Sequence, residues 1–463
     1  MLFQDKVDFG PTYFKIFDSW FDRDDFDDTV HVAWETISMD SNLDIVAKFR
    51  LLKGHLKSWI HNSRSSEAKR LKEITSQIDE LDNFIDAGVA SEDDVQRRNK
   101  LASEKNDLTK FIDLDYLQKA RVRWDVEGDE NSKKFQFSLK RTRRLQHIQG
   151  LLVDGTWIDN PKDIKDCFFE HFKSKFDAHD SDFIFDDPRP RMVLTESECS
   201  MLEVDIEDDE IKKSRVALRD IRGFFSSCSM PRGANSAFFS LIPKIYNPML
   251  ITDFRPISLV GCFYKTVTKI LTNRLQGVID NIISPVQTTF IAGRQILDGP
   301  LMLSESIDWY KRKNKKMLMF KVDFEKAYDS VNWEYLLSML SILEFGDKWC
   351  SWIKGCLFSA RTSVLVNGSP TREFPLKRGL RQGDPLSPFL FIIVMEGLHL
   401  AFHQAMERNI IHGINVGTEN ISLSHFIYVD DVVIFSDWNA IELRRILLIL
   451  EVFHKNFGFK VEY

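Results

Sequence analysis

No stretch of this chain constrains it more than Tyr428-Val429-Asp430-Asp431. The two carboxylates lie between Phe426-Ile427-Tyr428 and Val432-Val433-Ile434-Phe435. These apolar runs, rich in β-branched and aromatic residues, read as buried strands. Asp is depleted in strands, and a carboxylate buried without a partner is costly. Two readings satisfy the pattern. One is an ordinary Asp-Asp turn between strands; the other is a hairpin turn whose carboxylates hold a divalent cation.

A third carboxylate bears on that choice. In Lys321-Val322-Asp323-Phe324-Glu325-Lys326-Ala327-Tyr328-Asp329, Asp323 follows the apolar run Met317-Leu318-Met319-Phe320. A helical pattern comes next: Val331, Trp333, Leu336, Leu337 and Leu340. Asp323 is therefore expected where a strand gives way to a helix, with Glu325 and Lys326 in the exposed first turn. Three carboxylates converging at strand ends suit hard cations with oxygen ligands, magnesium above all. Two such ions roughly 3.5–4 Å apart can activate an attacking oxygen and stabilise a leaving one, the chemistry of nucleotidyl transfer.

These segments, with others, resemble the reverse transcriptases of LINE-type, non-LTR retrotransposons, plant elements in particular. Lys321 to Asp329 is similar to polymerase motif A, Arg378-Gly379-Leu380-Arg381-Gln382-Gly383-Asp384-Pro385-Leu386-Ser387-Pro388 to motif B, and Tyr428 to Asp431 to motif C. Leu241-Ile242-Pro243-Lys244, Asp253-Phe254-Arg255-Pro256-Ile257-Ser258-Leu259 and Gln287-Thr288-Thr289-Phe290-Ile291-Ala292-Gly293-Arg294 resemble the fingers blocks. The resemblance implies an α+β fold: a palm of antiparallel sheet backed by helices, with partial fingers, preceded by a helical N-terminal region. It implies that Asp323, Asp430 and Asp431 carry two Mg2+ ions and that Tyr328 is the steric gate against a ribose 2′-hydroxyl. It also implies that Lys244 and Arg255 clamp the incoming deoxynucleoside triphosphate, a task suited to a cationic pair with one bidentate fork. Gln382 and Gly383 would border the nucleotide's sugar and base. Asp329 and Asp384 read as turn or cap residues.

The chain has 463 residues, 43% hydrophobic and 28% charged, which is globular composition with room for two or three domains. The net charge of −7 runs against the basic balance common in nucleic-acid polymerases. The charge is uneven, however. Lys140-Arg141-Thr142-Arg143-Arg144 and Lys311-Arg312-Lys313-Asn314-Lys315-Lys316 are local basic clusters, and phosphate contact depends on local potential. Six cysteines without a Cys-x-x-Cys pair suggest reduced thiols, no zinc site and an intracellular location, nucleus or cytoplasm. No membrane-spanning run or signal peptide is expected.

Four segments follow from the pattern. Residues 1–41, with Phe9-Gly10-Pro11-Thr12-Tyr13-Phe14, resemble the phrase that follows an endonuclease domain in the family, the nuclease body itself being lost. Residues 42–150 hold a helical hairpin and a basic connector. Its seam is Leu71, Ile74, Ile78, Leu81 and Ile85, its stop is Gly88, and its restart is a Ser91/Asp94 cap, followed by Leu101, Leu108, Phe111 and Ile112. The connector contains Arg121-Val122-Arg123-Trp124 and Asp129 to Phe135, a family phrase between nuclease and polymerase. Residues 151–224 read as a hairpin around Asp154-Gly155, a helix opened by Asn160-Pro161 that buries Ile164, Phe168, Phe172 and Phe176, and an acidic linker over 177–192. Residues 225–463 are fingers and palm.

Two departures from the family pattern stand out. Glu210-Ile211-Lys212-Lys213 passes almost directly to Phe224-Phe225-Ser226-Ser227 without the usual Pro-Gly-Pro-Asp-Gly loop, so the fingers are expected to be incomplete on one side. Gly458-Phe459-Lys460-Val461 resembles the start of the next palm motif, and no thumb follows. The expected function is an RNA-directed DNA polymerase acting on an RNA template and a DNA primer, impaired by truncation. The alternative is a non-catalytic retroelement remnant that binds RNA. An RNA-dependent RNA polymerase usually has Gly before the paired aspartates and lacks the aromatic gate, so Val429 and Tyr328 speak against it. Oligomeric state stays open.

Overall fold

A computed structural model describes residues 8–40, 42–120, 147–178, 190–207, 210, 218–295, 297–417, 421–457 and 460–462. The phrases at Arg121–Trp124 and Asp129–Phe135, the cluster Lys140–Arg144, most of the acidic linker, Ile211–Lys213, Gly458-Phe459 and the side chains of Phe111 and Ile112 lie outside the described residues. The four segments distinguished above fall into two compact units. One holds residues 10–150 and 367–369; the other holds 1–9, 151–366 and 370–463.

The first unit is helical: α1 (Phe26–Ser38), α2 (Ile45–Asp86) and α3 (Glu92–Ala120). Asp44 caps α2 by accepting from the Ala47 N–H at 2.7 Å. The turn into α3 is made by Gly88 at φ 72° and by the Ser91 N–H donating to Asp94 at 2.9 Å. Arg70 pairs with Glu104 and Arg98 with Asp82, so the two helices run antiparallel. Ile74, Ile78, Leu81 and Leu101 fill their seam. Ile85 does not join it and is exposed.

The second unit opens with a hairpin, β1 (Leu151–Val153) and β2 (Thr156–Ile158). Asp154 and Gly155 both have positive φ, the type I′ pattern that matches strand twist. Helix α4 (Pro161–Lys175) is capped by Asn160, starts on Pro161 and buries Ile164, Phe168, Phe169 and Phe172. Short helices α5 (Glu196–Leu202) and α6 (Leu218–Ser227) follow. Strands β3 (Ser236–Pro243) and β4 (Phe254–Leu259) form an antiparallel hairpin. Beyond them come α7 (Cys262–Gln276), α8 (Asp298–Arg312), β5 (Met317–Glu325), α9 (Ala327–Ser330), α10 (Trp333–Ile342) and α11 (Asp347–Phe358). Strand β6 (Arg361–Val366) pairs parallel with β3.

Then follow the two-residue strands β7 (Ser369–Pro370) and β8 (Phe374–Pro375), the long helix α12 (Ser387–Glu407), β9 (Ile414–Val416), β10 (Ile421–Leu423), β11 (His425–Tyr428), β12 (Asp431–Asp437), α13 (Ala440–Phe457) and β13 (Lys460–Glu462). A four-stranded antiparallel sheet of order β11-β12-β5-β13 is the centre of this unit. The α+β architecture is thus as expected, and Lys460 and Val461, from the segment resembling the next palm motif, pair with Glu325 and Phe324 of β5.

Two expectations need correcting. Helix α12, at 21 residues, is long and apolar enough to cross a membrane by length and composition. It is instead a core helix, with Phe391, Ile392, Ile393, Val394, Met395 and Leu398 fully buried. The turn after Asp323 also differs. Strand β5 runs on to Glu325, Lys326 takes a left-handed φ of 53°, and the helix starts at Ala327. Strand alternation explains the extension: Val322 and Phe324 both fill the core, so the pleat continues past Asp323.

Candidate active site

Asp323 sits directly opposite Asp431 across the β5–β12 ladder. Opposed residues share a face of the sheet, with Cβ atoms roughly 4.5–5.5 Å apart, and like charges so placed repel. Their strand neighbours Val322, Phe324, Val432 and Ile434 point the other way into the core. Tyr428 and Asp431 close the hairpin, leaving Val429 and Asp430 as a two-residue turn. Val429 has φ 58° whereas Asp430 does not share the positive φ, the sign pattern of a II′ turn, where Gly is the usual first residue. A β-branched residue there costs about 1–2 kcal/mol.

The three acids feel one another. Burial pushes the Asp430 carboxyl up, and the Asp431 and Asp323 charges add to the rise. Lys321 answers in part: its Nζ lies 3.0 Å from Asp431 Oδ1, and the three carboxylates raise its own proton affinity. Among the described residues no three His, Cys, Asp or Glu side chains close around one point. The fit to a metal therefore rests on the backbone register and the donor set. These are oxygen-only carboxylates on two paired strands and the adjoining turn, mutually repelling and only partly neutralised, which is the chemistry a hard divalent cation satisfies.

Tyr328 lies beside this group. Its ring stacks on Phe391 with centroids 4.5 Å apart and planes 9° from parallel. Burial, and then the Asp430 charge, holds its hydroxyl proton more tightly than usual. Its carbonyl accepts from the Leu380 N–H at 2.6 Å, and the Val331 carbonyl accepts from Gly379 at 2.7 Å. The motif A turn is thus stitched to the motif B loop. A Cβ on Gly379 would meet the Asp329 carbonyl oxygen at 2.6 Å, so only Gly fits.

Gln382 and Gly383 are placed by the β3–β4 hairpin. The Ser258 N–H donates to the Gln382 carbonyl at 2.9 Å, and a Cβ on Gly383 would meet the Ser258 oxygen at 3.1 Å. The close approach that Gly383 permits is to β4. On that hairpin Ile242 opposes Arg255, and the Lys244 N–H donates to Asp253 at 2.7 Å. Alternation then puts Lys244 and Arg255 on one face as diagonal neighbours, about 7–8 Å apart at the backbone. Both are exposed.

Lys175, at the end of α4, has no role in the sequence reading. Its Nζ pairs with Asp329 at 2.5 Å and lies over the rings of Phe172 and Phe176. Burial lowers its proton affinity, the Asp329 charge opposes that, and Lys326 and Lys244 reinforce it. Lys175 therefore links the β3–β4 hairpin electrostatically to the motif A turn. The signal was present in the sequence: Lys175 falls three residues after Phe172, on the apolar stripe of its own helix. Asp329 is a buried ion-pair partner, which refines its reading as a turn residue.

A family model described as reverse transcriptase (RNA-dependent DNA polymerase) matches residues 242–463. An uncharacterized 149 kDa protein of transposon TX1 from Xenopus laevis is 29% identical over 221 residues, 48% of this chain and 16% of its own length. A retrovirus-related Pol polyprotein from the type-1 retrotransposable element R2 of Popillia japonica is 30% identical over 206 residues, 43% of this chain and 27% of its own. An uncharacterized mitochondrial protein of Arabidopsis thaliana is 40% identical over 67 residues, 14% of this chain and 55% of its own. The chain spans 16% and 27% of the length of the first two relatives. Dependence on divalent metal is general in the matched family. Residues 242–463 are thus similar to the reverse transcriptase family, and the retroelement proteins that they resemble include those of TX1 and R2.

Proposed function

We propose that this domain is an RNA-directed DNA polymerase that adds deoxynucleotides to a DNA primer on an RNA template, with two Mg2+ ions held by Asp323, Asp430 and Asp431. The observation that carries the reading is the register of Asp431 against Asp323, with Asp430 in the joining turn. When bound, such ions activate the primer 3′-hydroxyl and stabilise the leaving pyrophosphate. The chain's own residues do the rest. Lys244 and Arg255, exposed on one face, hold the triphosphate. The Tyr328 ring, stacked flat on Phe391, crowds a 2′-hydroxyl. Gln382 and Gly383, tied to Ser258, border the sugar and base. The six cysteines are free thiols, which fits a reducing intracellular compartment. The likeness to a plant mitochondrial protein fits a plant-type element.

Primer extension by the full chain on an RNA template with MgCl2 and deoxynucleotides tests the reading. Incorporation that is lost in Asp430→Asn is the expected result. Binding of the RNA–primer duplex without incorporation would instead favour the non-catalytic, RNA-binding reading.

A further inference from the structure

We propose that Gln287 is a positioning residue for Asp430 and Asp431, acting through the backbone of Val429; this rests on the polymerase reading above. The Gln287 side chain is 2% exposed. Its Oε1 accepts from the Val429 N–H at 3.3 Å, from Thr289 Oγ1 at 2.8 Å and from the Thr289 N–H at 3.4 Å. Its Nε2 has no hydrogen-bond partner among the described residues, so the acceptor end is the one in use. The backbone around it runs along β11: the Ile427 N–H donates to Val286 at 3.0 Å, and the Thr288 N–H donates to Ile427 at 3.4 Å.

This brace is itself anchored. Arg294 donates to the carbonyls of Ile283, Ser284 and Gln287 at 2.6–2.7 Å and pairs with Asp280. The Ser284 N–H donates to the buried carboxyl of Glu396 at 3.1 Å. What the brace holds is the one residue of the hairpin turn with left-handed φ, a valine, which disfavours that conformation. Released from Gln287, the turn can relax away from φ 58°, and Asp430, the next residue, moves with it. A misplacement of about 1 Å at a reacting centre costs on the order of 100-fold in rate.

The test compares wild type, Gln287→Met (similar length, no acceptor), Val429→Gly and the double variant in the full chain. Gln287→Met is expected to lower kcat for primer extension by about 100-fold while the deoxynucleotide KM stays within about twofold. In the Val429→Gly background, where the turn residue takes positive φ without help, the same substitution should cost less than about 10-fold. Hydrogen exchange supplies a readout independent of catalysis: exchange of the 426–432 segment should rise at least about 10-fold more in Gln287→Met than exchange of the remote helix α11. Equal losses in both backgrounds, or unchanged exchange, would overturn the positioning role. Should wild type fail to extend primers at all, the polymerase reading falls, and the exchange comparison alone decides whether Gln287 holds the turn.

Discussion

The acidic hairpin at Tyr428–Asp431 and the loop at Arg378–Pro388 both carry charged residues, yet they use them in opposite ways. In the loop the charges turn inward. Arg381 is 6% exposed, donates to Asn235 and to the Arg361 carbonyl, and lies 4.8 Å over the Tyr264 ring. Asp384 is 5% exposed and accepts from Tyr264 and Ser387. In the hairpin the acids face outward and toward each other, with Lys321 as partial compensation. A charged motif residue buried among polar partners of the fold builds the frame. One left facing its own sign is kept for something that arrives from outside.

The largest expected break in that contrast is catalytic. Asp430→Asn should lower primer extension on the order of 10²–10³-fold, because a charge aimed at the reacting centre is lost. It should also raise the midpoint of thermal unfolding, since burial and two neighbouring carboxylates already oppose ionisation of Asp430. A fall in both activity and stability would mean that Asp430 belongs with the frame. Arg381→Met should do the reverse. Removing one partner of a buried charged network costs about 3–5 kcal/mol. Urea unfolding should show that loss, with primer extension per folded molecule little changed.

Glu396 gives the pH form of the contrast. It is an inward carboxyl on α12, and burial pushes its pKa up to about 8, against the pull of the Ser284 N–H and the Arg294 charge. A folded pKa above the ordinary 4.5 means that its stabilising share is complete below that value and is lost as pH rises through about 8. Glu396→Gln cannot ionise. It should melt with wild type near pH 4.5 and above it beyond pH 8, by roughly 2–4 °C for each kcal/mol relieved. Identical pH profiles would mean that Glu396 stays charged in the fold.

Much of this was legible from local pattern. The apolar runs around Asp430-Asp431 gave the β11–β12 hairpin, and Asp154-Gly155 gave the type I′ turn. The three-and-four spacing from Leu71 to Leu81 gave the α2–α3 seam, though Ile85 fell outside it. What stayed hidden depends on partners far along the chain. Gly383 needs no side chain because Ser258 comes close, and Gly379 because Asp329 does. Strand β5 outlasts Asp323 because Phe324 finds a core to enter. The positive φ of Val429 could not be foreseen, since the residue type argues against it and its contact with Gln287 lies far along the chain. Lys175 was visible as a misplaced lysine on an apolar stripe, but its partner Asp329 was not.

Lys321→Met is the smallest of the expected effects and the sharpest comparison with Arg381. Each substitution deletes a cation within a motif. Lys321 is 65% exposed at its side chain and Asp431 43%, so water screens the pair and either charge can be rehydrated when the other is removed. Thermal unfolding should therefore be nearly unchanged. The ammonium does compete for Asp431 with any divalent cation, so its removal should lower the MgCl2 concentration for half-maximal primer extension by less than about fivefold. That difference should shrink further as KCl is raised toward 1 M, where the screening length falls to about 3 Å. A destabilisation as large as that of Arg381→Met would place Lys321 in the frame and erase the distinction between the two regions.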